Sequence, residues 1–104
     1  MTNVAENIGE YGRFVHFGCT SSDIVDSALS LQIKSAAEVL EKSIVFLEKS
    51  LTLLIRSNIK TLCAGRTHGM FAEPTTFGIK ISGYLAELQR NKERLKLAIK
   101  QACA

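Results

Sequence analysis

Residues 29–54 read LSLQIKSAAEVLEKSIVFLEKSLTLL, and their spacing decides the fold. Leu29, Ile33, Ala36, Leu40, Ile44, Leu47, Leu51 and Leu54 recur in steps of four and three, the period of one face of an amphipathic helix. Neither Pro nor Gly occurs from Cys19 to Ala64. On another face Lys34, Glu38 and Lys42 stand four apart, where opposite charges lend modest helix support and read as a solvated surface. Upstream, Asp23 follows Thr20 by three residues, as in a capping box, and Asp26 still lies near the positive helix end. Together these signals predict a helix over 22–57.

A second apolar series, Phe77, Ile81, Tyr84, Leu88, Leu95, Ala98 and Ala102, follows Pro74 and is interrupted at Asn91. Proline suits a first helical position, so the pattern predicts a second helix over 74–103. Gly78 and Gly83 inside it each cost roughly 1 kcal/mol relative to Ala, which predicts close backbone packing against another helix. Asn58 to Glu73 reads as a loop, its short apolar stretch Thr61-Leu62-Cys63-Ala64 leading into Gly65-Arg66-Thr67-His68-Gly69. The expected fold class is all-α. Residues 1–20 form the end of an N-terminal region with a polar loop, and 21–104 form part of a helical bundle.

The chain has 104 residues, 46% hydrophobic and 22% charged, an ordinary globular composition too short for two independent domains. Thirteen basic against ten acidic residues give a net charge of +3, dispersed along the chain, which argues against a nucleic-acid footprint or a polybasic membrane patch. No apolar run reaches the roughly 18 residues that span a bilayer, and MTNVAENIGE lacks the basic-then-apolar order of a signal peptide. The expectation is a cytoplasmic chain without nucleic-acid or membrane partners. Cys19, Cys63 and Cys103 are odd in number, with no CxxC or CxxH spacing, so free thiols are expected rather than disulfides or a zinc site.

A helix of about 35 residues is about 50 Å long, whereas a compact 100-residue globule has a radius of gyration of about 13 Å. Two such rods leave apolar faces that this length of chain cannot cover. The helical pattern also runs to Gln101-Ala102-Cys103-Ala104 without a stop signal. Either an obligate helical oligomer or a piece of a larger all-α protein is expected. The second is preferred, because both ends stop without punctuation.

Two polar elements carry candidate chemistry. In His16-Phe17-Gly18-Cys19-Thr20-Ser21-Ser22-Asp23, hydroxyls sit at the start of a long helix, where unpaired N–H groups and the dipole favour a carboxylate or phosphate. Thr20 and Ser21 could donate to such an anion, and His16 could add a proton or a charge; the competing reading is a plain helix cap. In the second element two glycines bracket His68, the side-chain type best able to exchange protons near neutral pH. Arg66 either binds an anion or pairs with an acidic neighbour such as Glu73, and Met70 and Phe71 are expected to pack.

The strings HFGCTSSDIVDSALSLQ and GRTHGMFAEPTTFGIK closely resemble the adenylosuccinate lyases, members of the fumarase/aspartase superfamily, and the resemblance runs from about Arg13 to the end. It implies the superfamily's long-helix bundle, assembled as a homotetramer with each active site where several subunits meet. It also implies β-elimination of fumarate from a small nucleotide substrate. By the same resemblance His68 is the general acid, Thr67, Thr20 and Ser21 hold the succinyl carboxylates, and His16 contacts substrate, at the phosphate. Arg13 lies nearby, but no motif assigns it. No metal or organic cofactor is implied.

The family's base is a serine on a mobile glycine-rich loop with no counterpart among these residues, so the 104-residue chain alone is expected to be inactive. Competing readings are another lyase of the superfamily with a different succinyl or fumarate-derived substrate, and a non-catalytic helical module that self-associates through the two apolar faces.

Overall fold

The computed structural model describes residues 2–103, so Met1 and Ala104, the outer limits of the two expected regions, lie outside the described residues. A short helix α1 (Thr2–Asn7) and a 3₁₀ segment (Gly9–Phe14) lead into the long helix α2 (Ser21–Ser57). An antiparallel hairpin of β1 (Leu62–Thr67) and β2 (Met70–Thr76) follows, and α3 (Phe77–Ala102) returns along α2. The molecule is a rod of 75 × 27 × 20 Å with a radius of gyration of 24.1 Å. That is nearly twice the roughly 13 Å of a compact domain of this length.

The start of α2 follows its sequence signals. Thr20 is extended (φ −102°, ψ 171°) as the N-cap, and its N–H donates to Asp23 Oδ2 at 2.7 Å, one arm of the expected capping box. At the other end Asn58 closes the helix, its Nδ2 donating to the Leu54 carbonyl at 2.9 Å. The Asn58 carbonyl in turn accepts from Thr61 N–H at 3.2 Å and Gly78 N–H at 3.0 Å, which ties the base of the hairpin to the start of α3. A Cβ at Gly78 would lie 3.0 Å from the Asn58 oxygen, so the expected close backbone approach is present there. At Gly83 no atom of this chain lies within 4 Å of a Cβ position, and the expected packing partner is not supplied by the described residues.

Two expectations need correction. The fold is mostly helical but not all-α, because residues 62–76, expected as a loop running into a helix at Pro74, form the β hairpin. Pro74 pairs with Ala64 inside β2. A two-stranded ribbon consists only of edges, where a residue without an N–H is tolerated. The second helix therefore begins at Phe77 rather than at residue 74, capped by Thr76, whose Oγ1 accepts from Ile79 N–H at 3.3 Å. Asn91 does not interrupt it.

The two helices meet along Ile33, Ala37, Ile44, Leu51 and Ile55 of α2 and Ile81, Leu85, Leu88 and Leu95 of α3, all buried or half-buried. Lys92 Nζ donates to Glu48 Oε2 at 2.8 Å across this seam. That bond and the ammonium charge hold the Glu48 carboxyl below the ordinary carboxylate range, and the carboxylate raises the Lys92 ammonium above its usual value. At the open end Ser30 Oγ donates to the Ala102 carbonyl at 2.9 Å, and the Cys103 thiol to the Ser30 carbonyl at 3.4 Å. All three cysteines are free. Among the described residues, Ala37 and Ile81 are the only buried hydrophobic side chains, while Leu29, Leu40, Leu47, Phe46 and Leu53 stay exposed. No helix among them is long and apolar enough to cross a membrane.

Candidate active site

His68 and Gly69 form the two-residue turn of the hairpin, since Thr67 pairs with Met70. Both central residues have positive φ, 50° at His68 and 73° at Gly69, as a type I′ turn requires. Glycine meets that demand freely; histidine is among the few other residues that enter the left-handed region with any frequency. The twist of the ribbon thus holds His68 at its tip, exposed, next to Thr67 at the end of β1.

Register in the hairpin is set by a bulge between Ala64 and Arg66. A Cβ on Gly65 would lie 2.6 Å from the backbone oxygen of Glu73, closer than any side-chain atom tolerates. Gly65→Ala is therefore expected to destabilise the hairpin by about 1–3 kcal/mol, the usual cost of forcing extra atoms into a packed contact. Faster amide exchange across residues 62–76 would register it; exchange identical to the unaltered chain would show that the strands separate without cost.

Arg66 pairs with neither Glu73 nor another carboxylate among the described residues. Its Cζ lies 4.8 Å from the centroid of Phe71, its cross-strand partner. Phe71 and Met70, expected to pack, are 74% and 67% exposed in this chain.

The other polar element lies at the far end of the rod. His16 also has positive φ (74°), and its carbonyl accepts from Cys19 N–H at 3.1 Å, forming with Gly18 (φ 77°) the turn that delivers the chain to α2. Thr20 and Ser21 stand exposed at the helix start. The Thr20 N–H is already taken by Asp23, so an anion there would rely on the hydroxyls and the remaining first-turn N–H groups. Arg13 places its Cζ 4.7 Å from the Phe14 ring centroid rather than toward these hydroxyls.

The structure groups Thr67 with His68, and His16 with Thr20 and Ser21, but does not bring the two groups together. The 37 residues of α2 lie between them, about 55 Å at a rise of about 1.5 Å per residue. The positions that sequence reading missed are Thr76 and Gly65. Thr75-Thr76 before an apolar residue is a capping signal overshadowed by Pro74, whereas Gly65 gave no signal apart from being glycine in a loop.

Comparison with known proteins places these elements in context. The model of the family described as Lyase matches residues 1–104. A curated adenylosuccinate lyase from Synechocystis sp. is 41% identical over 95 residues, covering 91% of this chain and 22% of its own length. One from Pyrococcus horikoshii is 46% identical over 92 residues, 88% of this chain and 20% of its own length. The chain thus spans about a fifth of the curated relatives it matches. Among solved structures, a fumarate lyase from Mesorhizobium sp. BNC1 superposes with a TM-score of 0.86 at 36% identity, over 91% of this chain and 22% of that one. The 3-carboxy-cis,cis-muconate lactonizing enzyme from Pseudomonas putida does so with a TM-score of 0.83 at 34% identity, with the same coverage. With the family's model matched over the whole of residues 1–104, the chain belongs to the lyase family.

Proposed function

We propose that this chain is the central segment of an adenylosuccinate lyase, a C–N lyase of purine biosynthesis. The reaction eliminates fumarate from adenylosuccinate, leaving AMP, and from the analogous succinyl-carboxamide ribotide. The carrying observation is the Thr67-His68 pair at the exposed tip of a hairpin, within a segment 41–46% identical to curated adenylosuccinate lyases.

Elimination removes a proton from the carbon beside a succinyl carboxylate, the electron pair forms the new C=C bond, and the C–N bond breaks. An amine nitrogen leaves poorly as an anion, so an acid must protonate it as it departs. His68 is the acid in this reading. Thr67, Thr20 and Ser21 hold the succinyl carboxylates, the latter two aided by the positive end of α2, and His16 contacts the phosphate. The base is a serine outside these residues, so the isolated chain is inactive.

About 55 Å of helix separates His68 from Thr20, so one site can use both only if they come from different subunits. The exposed apolar faces of α2 and α3 are the surfaces on which a cytoplasmic homotetramer would form. A second reading, another lyase of the superfamily, draws on the likeness to the carboxymuconate and fumarate lyase structures. Fumarate release from adenylosuccinate by the full-length protein decides between them. Release is expected from that protein and not from the 104-residue chain; its absence in the full-length protein would remove the substrate assignment.

A further inference from the structure

We propose that Arg66 and Phe71 form a cation–π clamp that positions His68, a role resting on the reading of His68 as the acid. The two residues are direct cross-strand partners, one pair before the turn pair Thr67 and Met70. The Arg66 guanidinium carbon lies 4.8 Å from the ring centroid, within the range of a cation–π contact. The hairpin gives the pair a specific task. On its far side the ladder is broken by the bulge between Ala64 and Arg66, so the tip is not braced by regular pairing from the base. At the turn His68 must stay at φ 50°, a conformation that persists in a non-glycine residue only where its surroundings enforce it.

Between the bulge and the turn stand two cross-strand pairs, Arg66–Phe71 and Thr67–Met70, and Arg66–Phe71 is the one whose cation–π contact can fix the strands' separation and twist. Cross-strand pairs of this kind are what stabilise a ribbon on one face. Phe71 is 74% exposed, so apolar burial within this chain does not account for its position. The guanidinium also finds no carboxylate partner among the described residues, which leaves the ring face as its contact.

The test compares Phe71→Ala, Phe71→Leu and Phe71→Tyr in the full-length protein. Tyr keeps the aromatic face and Leu keeps only apolar bulk. Loosening the tip displaces His68 from the leaving nitrogen without removing a substrate contact. Ala and Leu should therefore lower kcat by about tenfold or more with KM changed less than about twofold, while Tyr keeps kcat within about twofold. The limb of the pH–rate profile that reports the acid should move in Ala and Leu and stay in place in Tyr. A mere loss of folded enzyme would not move it.

Amide exchange at residues 67–70 gives a readout independent of turnover, rising in Ala and Leu and unchanged in Tyr. Unchanged exchange in Ala, wild-type behaviour of Leu, or equal losses in all three variants would overturn the clamp. His68→Ala run in parallel separates the two claims: if it retains turnover, His68 loses its role as acid, whereas the exchange data still judge the clamp.

Discussion

Replacing His68 with Asn in the full-length protein is expected to lower fumarate release by about 10²–10⁴-fold, the usual contribution of a positioned general acid. Asn is the informative substitution because of the backbone. His68 sits at φ 50° and Gly69 at φ 73°, and Asn-Gly is the favoured pair for that turn. The variant keeps or improves the hairpin while removing a group that can protonate a leaving amine near neutral pH. His68→Ala removes the same acid, but Ala enters the left-handed region less readily, so part of its loss would come from the turn. Asn losing turnover with unchanged helicity and oligomeric state would separate chemistry from folding. Turnover within about tenfold of the unaltered enzyme in the Asn variant would end the acid role.

The long helices were legible because periodicity, an uninterrupted stretch without Gly or Pro, and the Thr20–Asp23 cap all agree. The hairpin was not, and each misleading signal has a physical basis. Residues 62–67 lack the clean polar and apolar alternation of a half-buried strand, and both strands lie largely exposed here. The turn pair is His-Gly instead of the familiar Asn-Gly, and Pro74 serves equally well at a helix start and on a ribbon edge.

The seam was legible only in part. Sequence periodicity selected Ile33, Ile44 and Leu51, which lie half-buried toward α3, together with Leu29, Leu40, Leu47 and Leu54, which stay exposed, and it passed over Ala37 and Ile55. Apolar residues occupy more than one face of α2, and a period alone cannot say which face meets which neighbour. The two motifs name the candidate residues His16, Thr20, Ser21, Thr67 and His68, and the structure adds where each stands. Their division between opposite ends of the rod follows from the 37-residue length of α2, which lies between the two motifs and is close to the length that the spacing predicts.

The unoccupied stripe gives the second large effect, a loss of turnover from a position remote from both polar elements. Leu47 is 45% exposed in line with Leu29, Leu40 and Leu54, at 52%, 51% and 39%, on a side of α2 that α3 does not cover. It stands about 40 Å along the helix from Ser21. In the proposed tetramer this stripe lies in an apolar seam, where an unpaired carboxylate costs on the order of several kcal/mol. Leu47→Asp should therefore shift the sedimentation profile of the full-length protein to smaller species. Turnover should fall with it, by about 100-fold or more, although His68, Thr67, Thr20 and Ser21 are untouched. The coupling follows from geometry, because one chain holds its two polar elements about 55 Å apart and cannot close a site on one substrate. In the proposed tetramer each subunit's hairpin would meet another subunit's helix start. An unaltered sedimentation profile would show that the stripe lies outside the seam, and dissociated subunits retaining full turnover would show that a site needs only one chain.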